Sequence, residues 1–345
     1  YTFGPRHFLT HNKEVFRYLN KIVPMRSCGE HEFITYVEQD NQFYNYPLHV
    51  SDLEKMPDKK KIKKELSQKK ELNIKNSKNM EDYWINSIGK TLYGKTIEKY
   101  NKKMWLVNDN KKIDTFKWSP KGATLKNGPR AAWDKAISAY PIKQNGYNDF
   151  FDKINKKKIK IILNSNFKVK NLRNKEFIIN NKIQKFDIVI STISPDFYFN
   201  NKFGELPFIG RDFYPFILPI EHAFPKDVYF LYYPGKGKVT RCVEYKKLTR
   251  FKAKNTLIGL EVPSLSNRLY PLPIKRYQKL ADDYFNLMPE GVYSAGRAGV
   301  YRYGIDFDRC IDHGMIIANN LKNGGGGKGS VLNIDPTGEQ QRVAK

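Results

Sequence analysis

The 345-residue chain carries 61 Lys and Arg against 35 Asp and Glu, a formal net charge of +26, and is 40% hydrophobic and 14% aromatic. That apolar fraction excludes a disordered polymer, and the length fits two domains or one large α/β unit with an insertion. No run of 18 apolar residues offers a membrane-spanning helix, and Cys28, Cys242 and Cys310 are too scattered for a disulfide framework or a cysteine-rich metal site, which fits a reducing cytoplasm.

In chain order, residues 1–50 predict an extended start, a helix over Asn12–Val23 and a strand pair at Phe33–Val37 and Phe43–Tyr46. The chain opens at Tyr1 inside what reads as a structured segment, so a truncated N-terminus is expected. Residues 51–118 read as helical, with Ile85, Ile88, Leu92 and Ile97 at mixed three- and four-residue spacing, and with Glu81 and Asp82 near a helix start. The Gly-, Pro-, Lys- and Asn-rich stretch 119–146 reads as loop. Then come a helix over Tyr147–Ile154, strands over Lys158–Val169 and Phe177–Ile193, and several strands in 203–262. A helix over Pro273–Leu287, a strand over Val292–Ala295 that runs into Gly296, and a closing helix over Asp306–Leu321 complete the fold. Residues 324–345 form a Gly-rich tail expected to be disordered. The basic balance admits nucleic acid, an anionic surface or an anionic small substrate as partner. Only Lys59–Lys70 is dense in lysine, and without aromatics it reads as a solvated helix face.

Several short patterns then line up. They are the opening YTFGPRHFLTHNKEVFRYLN, Tyr46-Pro47-Leu48, the Ile88–Trp105 helix, the Ser191–Phe213 segment, Thr240-Arg241 with Glu244 and Lys246, Leu269-Tyr270-Pro271, and Gly296-Arg297 with Tyr301-Arg302-Tyr303 and Asp306-Phe307-Asp308. Taken in this order over residues 1–321, the chain resembles the UDP-galactopyranose mutase family of FAD proteins. The resemblance implies an α/β fold: a Rossmann-type FAD-binding domain, its first βαβ missing upstream of Tyr1, with a helical insertion and an antiparallel β-sheet domain. It divides the chain into FAD-domain residues 1–50, an insertion at 51–118, a return through 119–195, a substrate sheet at 196–290 and a C-terminal FAD segment at 291–323. The implied reaction interconverts pyranose and furanose rings of a UDP-sugar by attack of reduced-flavin N5 on the anomeric carbon. Its implied partners are FAD, the UDP-sugar and an external reductant such as NAD(P)H, in a cytoplasmic enzyme compatible with a homodimer and feeding cell-surface glycans.

Carried over position by position, the resemblance implies catalytic roles for Arg241, Tyr303 and Asp306. Substrate contacts fall to Tyr100, Trp105, Lys117, Arg241, Tyr270 and Tyr303. FAD contacts fall to Gly4, Pro5, His7, Tyr147, Gly296, Arg297, Asp306 and Asp308, and no metal is implied. The chemistry suits the residue types. An aromatic face stacks on uracil, arginine forks a diphosphate, and a cation near a helix start suits a pyrophosphate or reduced flavin. Each has a plainer competing role: core packing for Trp105, an ion pair with Glu244 for Arg241, and an N-cap for Asp306 or Asp308.

The departures are as informative. Arg6 and Leu9 stand where the family pattern has two histidines, with His7 and His11 displaced. Lys117, Trp118 and Lys121 stand in the region of a diphosphate arginine, and a lysine is a point charge, not a fork. No glycine fingerprint opens a βαβ unit. These departures keep open a FAD-dependent oxidoreductase of the amine-oxidase or protoporphyrinogen-oxidase type. A basic nucleic-acid binder is the remote third reading.

Overall fold

The computed structural model describes residues 7–68, 77–114, 125–133, 135–155 and 159–323. The chain divides into two units: residues 1–146 with 209–268, and residues 147–208 with 269–345. It therefore changes unit after Gly146, Phe208 and Arg268, and the expected breaks at 195 and 290 fall inside units.

The first unit opens with β1 (Phe8–Thr10), α1 (Lys13–Ile22), β2 (Met25–Ser27), β3 (Glu32–Val37) and β4 (Gln42–Tyr46). Asn12 starts α1 by accepting from the amides of Glu14 and Val15, and Val15 and Leu19, one turn apart, are buried. The helical stretch follows as α2 (Val50–Leu53), α3 (Lys59–Ser67), α4 (Met80–Ile88), α5 (Lys90–Thr96) and α6 (Glu98–Trp105). The lysine-rich α3 buries only Ile62. Gly89 joins α4 to α5 at φ +84°, where a Cβ would sit 2.7 Å from Glu65 Oε2. That same carboxylate accepts from the Thr91 amide at 2.8 Å and so caps α5. Lys95 of α5 is buried between Asp40 and Asp58.

Residues 119–146 contain a strand that the composition hid. β5 (Ile137–Pro141) lies between β1 and β2 in a three-stranded antiparallel sheet. Its sequence ISAYP has little strand character of its own, and pairing on both edges decides its state.

The second unit takes α7 (Asn148–Asn155), β6 (Phe167–Asn171), β7 (Glu176–Ile179), β8 (Lys182–Lys185) and β9 (Val189–Ser191). The strand expected over Lys158–Val169 begins only at Phe167. Ile159, Ile161, Ile162 and Leu163 are exposed, because β6 pairs with β7 only from Phe167 onward.

The first unit resumes with β10 (Phe208–Leu218), β11 (Val228–Tyr232), β12 (Arg241–Glu244), α8 (Tyr245–Thr249) and β13 (Thr256–Ser264). Its main sheet runs β10-β13-β12-β11-β3-β4, antiparallel except where β11 meets β3. Every residue of β11 is buried, and its Phe230 and Tyr232 pack with Phe33, Val243 and Tyr245. Helix α8 was not foreseen. Its Lys246 and Lys247 are buried because each ammonium reaches main-chain carbonyls: Glu221 and Ala253 for the first, Pro225 and Lys226 for the second.

The second unit closes with β14 (Tyr270–Pro271), α9 (Lys275–Phe285), β15 (Val292–Ser294), α10 (Gly296–Gly299) and α11 (Phe307–Lys322). β9 and β15 run parallel, as expected of a Rossmann-type return. Ala281, Tyr284 and Phe285 of α9 pack with Leu206, Phe208 and Tyr301. The molecule is thus a mixed α/β fold with a largely antiparallel main sheet, the small antiparallel sheets β1-β5-β2 and β6-β7-β8, and one parallel strand pair. Among the described residues no helix is long and apolar enough to cross a membrane.

Candidate active site

The site residues expected from sequence gather in two sets, one in each unit. In the first unit, α6 presents Tyr100, whose ring lies 5.8 Å from Tyr232, itself 5.1 Å from Tyr46. Burial, then Tyr232, pushes the Tyr100 hydroxyl well above its ordinary value, with Arg241 and Arg211 opposing. Tyr100 is therefore a protonated donor at neutral pH. Trp105, five residues on, is buried at 1% exposure. The competing role of core packing describes its position here.

Arg241 opens β12 directly opposite Glu261 of β13, and its Nη2 donates to Glu261 Oε1 at 2.6 Å. Its guanidinium carbon sits 5.0 Å from the Phe230 ring centre. The expected partner Glu244 is not its partner. An offset of three along a strand reverses the face, and buried Glu244 instead accepts from the Ala223 and Phe224 amides and the Thr256 hydroxyl. Arg211, which the sequence reading did not single out, is buried on β10 beneath α6, with Nη2 against Met104 Sδ at 2.5 Å.

His7 sits in a pocket of polar neighbours in the same unit. Its Nε2 is 2.7 Å from Ser138 Oγ, and its ring meets His31 edge-on at 4.5 Å. Burial, then His31, then Arg26, holds its imidazole well below the usual range, so His7 is neutral. His31 Nδ1 donates to the Cys28 carbonyl at 2.6 Å, and Ser138 Oγ donates to the same oxygen at 3.0 Å. Neither His31 nor Ser138 was anticipated. They lie 24 and 131 positions from His7, and only the β1-β5-β2 pairing brings them together. Gly4, Pro5 and Lys117 lie outside the described residues.

In the second unit, Tyr270, Arg297, Tyr303 and Asp306 converge. The Arg297 guanidinium lies 5.3 Å from the Tyr270 ring centre and 5.6 Å from that of Tyr303, and the two rings are 5.5 Å apart. Its Nε donates to the Ile305 carbonyl at 2.8 Å and its Nη2 to Asp306 Oδ1 at 3.0 Å. Asp306 occupies the N-cap position of α11 without making a side-chain cap bond. Burial opposes the Arg297 charge, but Asp306, Tyr303 and Tyr270 outweigh it and raise its pKa. Asp308 accepts from the Arg309 amide inside the first turn of α11, and Tyr147 meets Phe307 edge-on at 5.0 Å. Buried Tyr301 adopts φ +47°, a left-handed conformation uncommon for tyrosine, at the turn between α10 and Tyr303.

Beside Arg297 opens a mainly apolar cavity of about 520 Å³ bordered by Ile190, Thr192, Gly296, Cys310 and Gly314. Gly296 has φ +70°, and a Cβ there would meet only Cys310 Sγ at 3.9 Å. Nothing lies within 4 Å of a Cβ built on Gly314. A flat aromatic group could approach the backbone at both glycines. These features fit the ring portion of FAD, with Arg297 as its cation. They supply no glycine cradle for the pyrophosphate. The Gly296 amide donates instead to His313 Nδ1 at 3.2 Å.

A family model for UDP-galactopyranose mutase matches residues 95–303. Among solved structures, the fold is similar to a reduced UDP-galactopyranose mutase at 14% identity and a TM-score of 0.74, covering 97% of this chain and 86% of that one. It is also similar to an Exiguobacterium sp. 255-15 protein assigned as a protoporphyrinogen oxidase, at 12% identity and TM-score 0.63, covering 92% and 87%. A Pyrococcus furiosus protein follows at 14% identity and TM-score 0.52, covering 89% and 82%. No curated protein matches.

Proposed function

Because the chain belongs to the UDP-galactopyranose mutase family, we propose that it is a FAD-dependent isomerase that interconverts the pyranose and furanose forms of a UDP-sugar. The observation that carries the reading is the gathering of Tyr270, Tyr303 and Asp306 around Arg297 at the edge of a mainly apolar cavity.

Arg297, Gly296 and the cavity wall would hold the ring end of FAD, with Tyr147 and Asp308 as further contacts. When bound in its reduced form, FAD would supply nucleophilic chemistry at the anomeric carbon. The rest falls to side chains of this chain. Arg241 offers its guanidinium to the diphosphate while Glu261 and Phe230 hold it in place. Tyr100, kept protonated, donates toward the same charge. Tyr270 and Tyr303 flank Arg297 and present hydroxyls to phosphate oxygens. Asp306 fixes the Arg297 fork, so a cation stands where negative charge develops. An external reductant such as NAD(P)H maintains the reduced state, and a cytoplasmic site of action supplies it.

Incubation of the FAD-loaded protein with UDP-galactofuranose, before and after dithionite reduction, tests this reading. Conversion confined to the reduced protein is expected, and Arg241→Ala should remove it. Flavin binding without conversion in either state would overturn the mutase assignment.

A further inference from the structure

Helix α6 carries Tyr100 and β12 carries Arg241, both proposed to meet the nucleotide. Between them lies the 233–239 loop that joins β11 to β12. Lys103 extends from α6 into this loop, and its Nζ donates to three main-chain carbonyls: Tyr233 at 2.6 Å, Gly235 at 3.2 Å and Val239 at 2.6 Å. Three acceptors use all three N–H bonds of an ammonium. From its other side the loop is held by Glu38, which accepts from the Lys236 amide at 3.2 Å. The Tyr233 amide donates to the Thr240 carbonyl at 3.0 Å and closes the loop immediately before Arg241.

We propose that Lys103 is a positioning residue that locks α6 to the 233–239 loop and so sets the spacing between Tyr100 and Arg241 needed to bind a nucleoside diphosphate. This inference rests on the functional reading above. Lys103 lies one helical turn after Tyr100, so a contact that anchors Lys103 restrains the stretch of helix that carries the tyrosine. The last carbonyl that it holds, Val239, is two residues before Arg241. A lysine that merely decorated the surface would make none of these contacts.

The clamp depends on protonation, because a neutral amine keeps only two N–H donors for three carbonyls. Burial pushes the Lys103 pKa down to about 8, with Glu38 opposing. The charged group that acts on it is Glu38, from the turn between β3 and β4. The sign of the stability effect separates positioning from folding. The folded value lies below the ordinary 10.5, so between these pH values the unfolded chain binds more protons. The contribution of this group to stability therefore rises with pH there. A loss of affinity as pH climbs through 8 is thus not a loss of fold.

The test is calorimetric titration of UDP into the wild-type protein, Lys103→Arg and Lys103→Met at pH 7 and pH 9, with amide hydrogen exchange over residues 233–240. Wild-type affinity should fall about threefold to tenfold from pH 7 to 9, as a tenfold excess of neutral amine implies. Lys103→Arg, always charged, should show less than about half of that fall. Lys103→Met should bind about tenfold more weakly at pH 7, with faster exchange across the loop. The inference is overturned if wild type and Lys103→Arg fall together with pH, or if Lys103→Met exchanges at the wild-type rate. UDP binding by none of the three proteins would sink the functional reading itself, a failure distinct from UDP binding that ignores Lys103.

Discussion

Each unit of this molecule holds an arginine against a carboxylate and aromatic rings, yet by different means. In the first unit, sheet register places Arg241 opposite Glu261, whose side chain is only 3% exposed. In the second, a turn with a left-handed Tyr301 places Arg297 against Asp306, whose side chain is 58% exposed. The difference teaches which consequence a substitution carries. Removing a cation from a buried carboxylate leaves a charge that water cannot reach. Removing one from an exposed carboxylate leaves a solvated ion and costs little beyond the ligand it served.

The largest effect expected from this contrast is at Arg241. Arg241→Ala should lower turnover by about 100-fold or more and destabilise the fold by about 3 kcal/mol, measured by urea unfolding. The Glu261→Gln double variant should recover most of the stability and none of the turnover. Equal stability of Arg241→Ala and wild type would break the comparison.

Next in size is an acid effect in the second unit. His313 is buried and accepts the Gly296 amide, and burial, then Arg309, pushes its pKa down to about 4. A depressed histidine contributes stability above its unfolded value, and that contribution is lost as pH falls from about 6.5 toward 4, by roughly 3 kcal/mol. His7 in the first unit is depressed too, so His313→Asn isolates the share of the second unit. Tryptophans occur at 84, 105, 118 and 133 and are absent from 147–208 and 269–345. Their fluorescence therefore follows the first unit, while amide exchange in α11 follows the second. Protection of α11 at pH 4.5 that is no greater in His313→Asn than in wild type would contradict this account.

The smallest effect sharpens the contrast. Arg297→Ala should change stability by under about 1 kcal/mol and weaken flavin binding about tenfold, read from the visible absorbance on titration with FAD. A destabilisation as large as that of Arg241→Ala would mean that the two arginines are held alike.

Much of this arrangement was legible in the sequence where the signal is local. The Asn12 cap, the alternation of Glu32–Val37 and the run from Gly296 to Asp308 each fix a short stretch by chemistry close in sequence. What the sequence withheld depends on distant pairing. ISAYP becomes a strand only between β1 and β2, and Arg241 finds Glu261 only through the β12–β13 register. His31 and Ser138 meet His7 only after the small sheet closes. The carbonyl contacts of the lysines at 103, 246 and 247 have no local signature, because composition does not show that a loop will turn its carbonyls toward them. Residues 159–163 erred in the opposite sense, as an apolar run with no strand beside it.

The most direct test is turnover of UDP-galactofuranose by the FAD-loaded protein, oxidised and dithionite-reduced, with UDP-galactopyranose measured as product. Product from the reduced protein alone, with none from reduced Arg241→Ala, is the predicted result. Bound flavin with no product in either state, or product at equal rates in both, would contradict it.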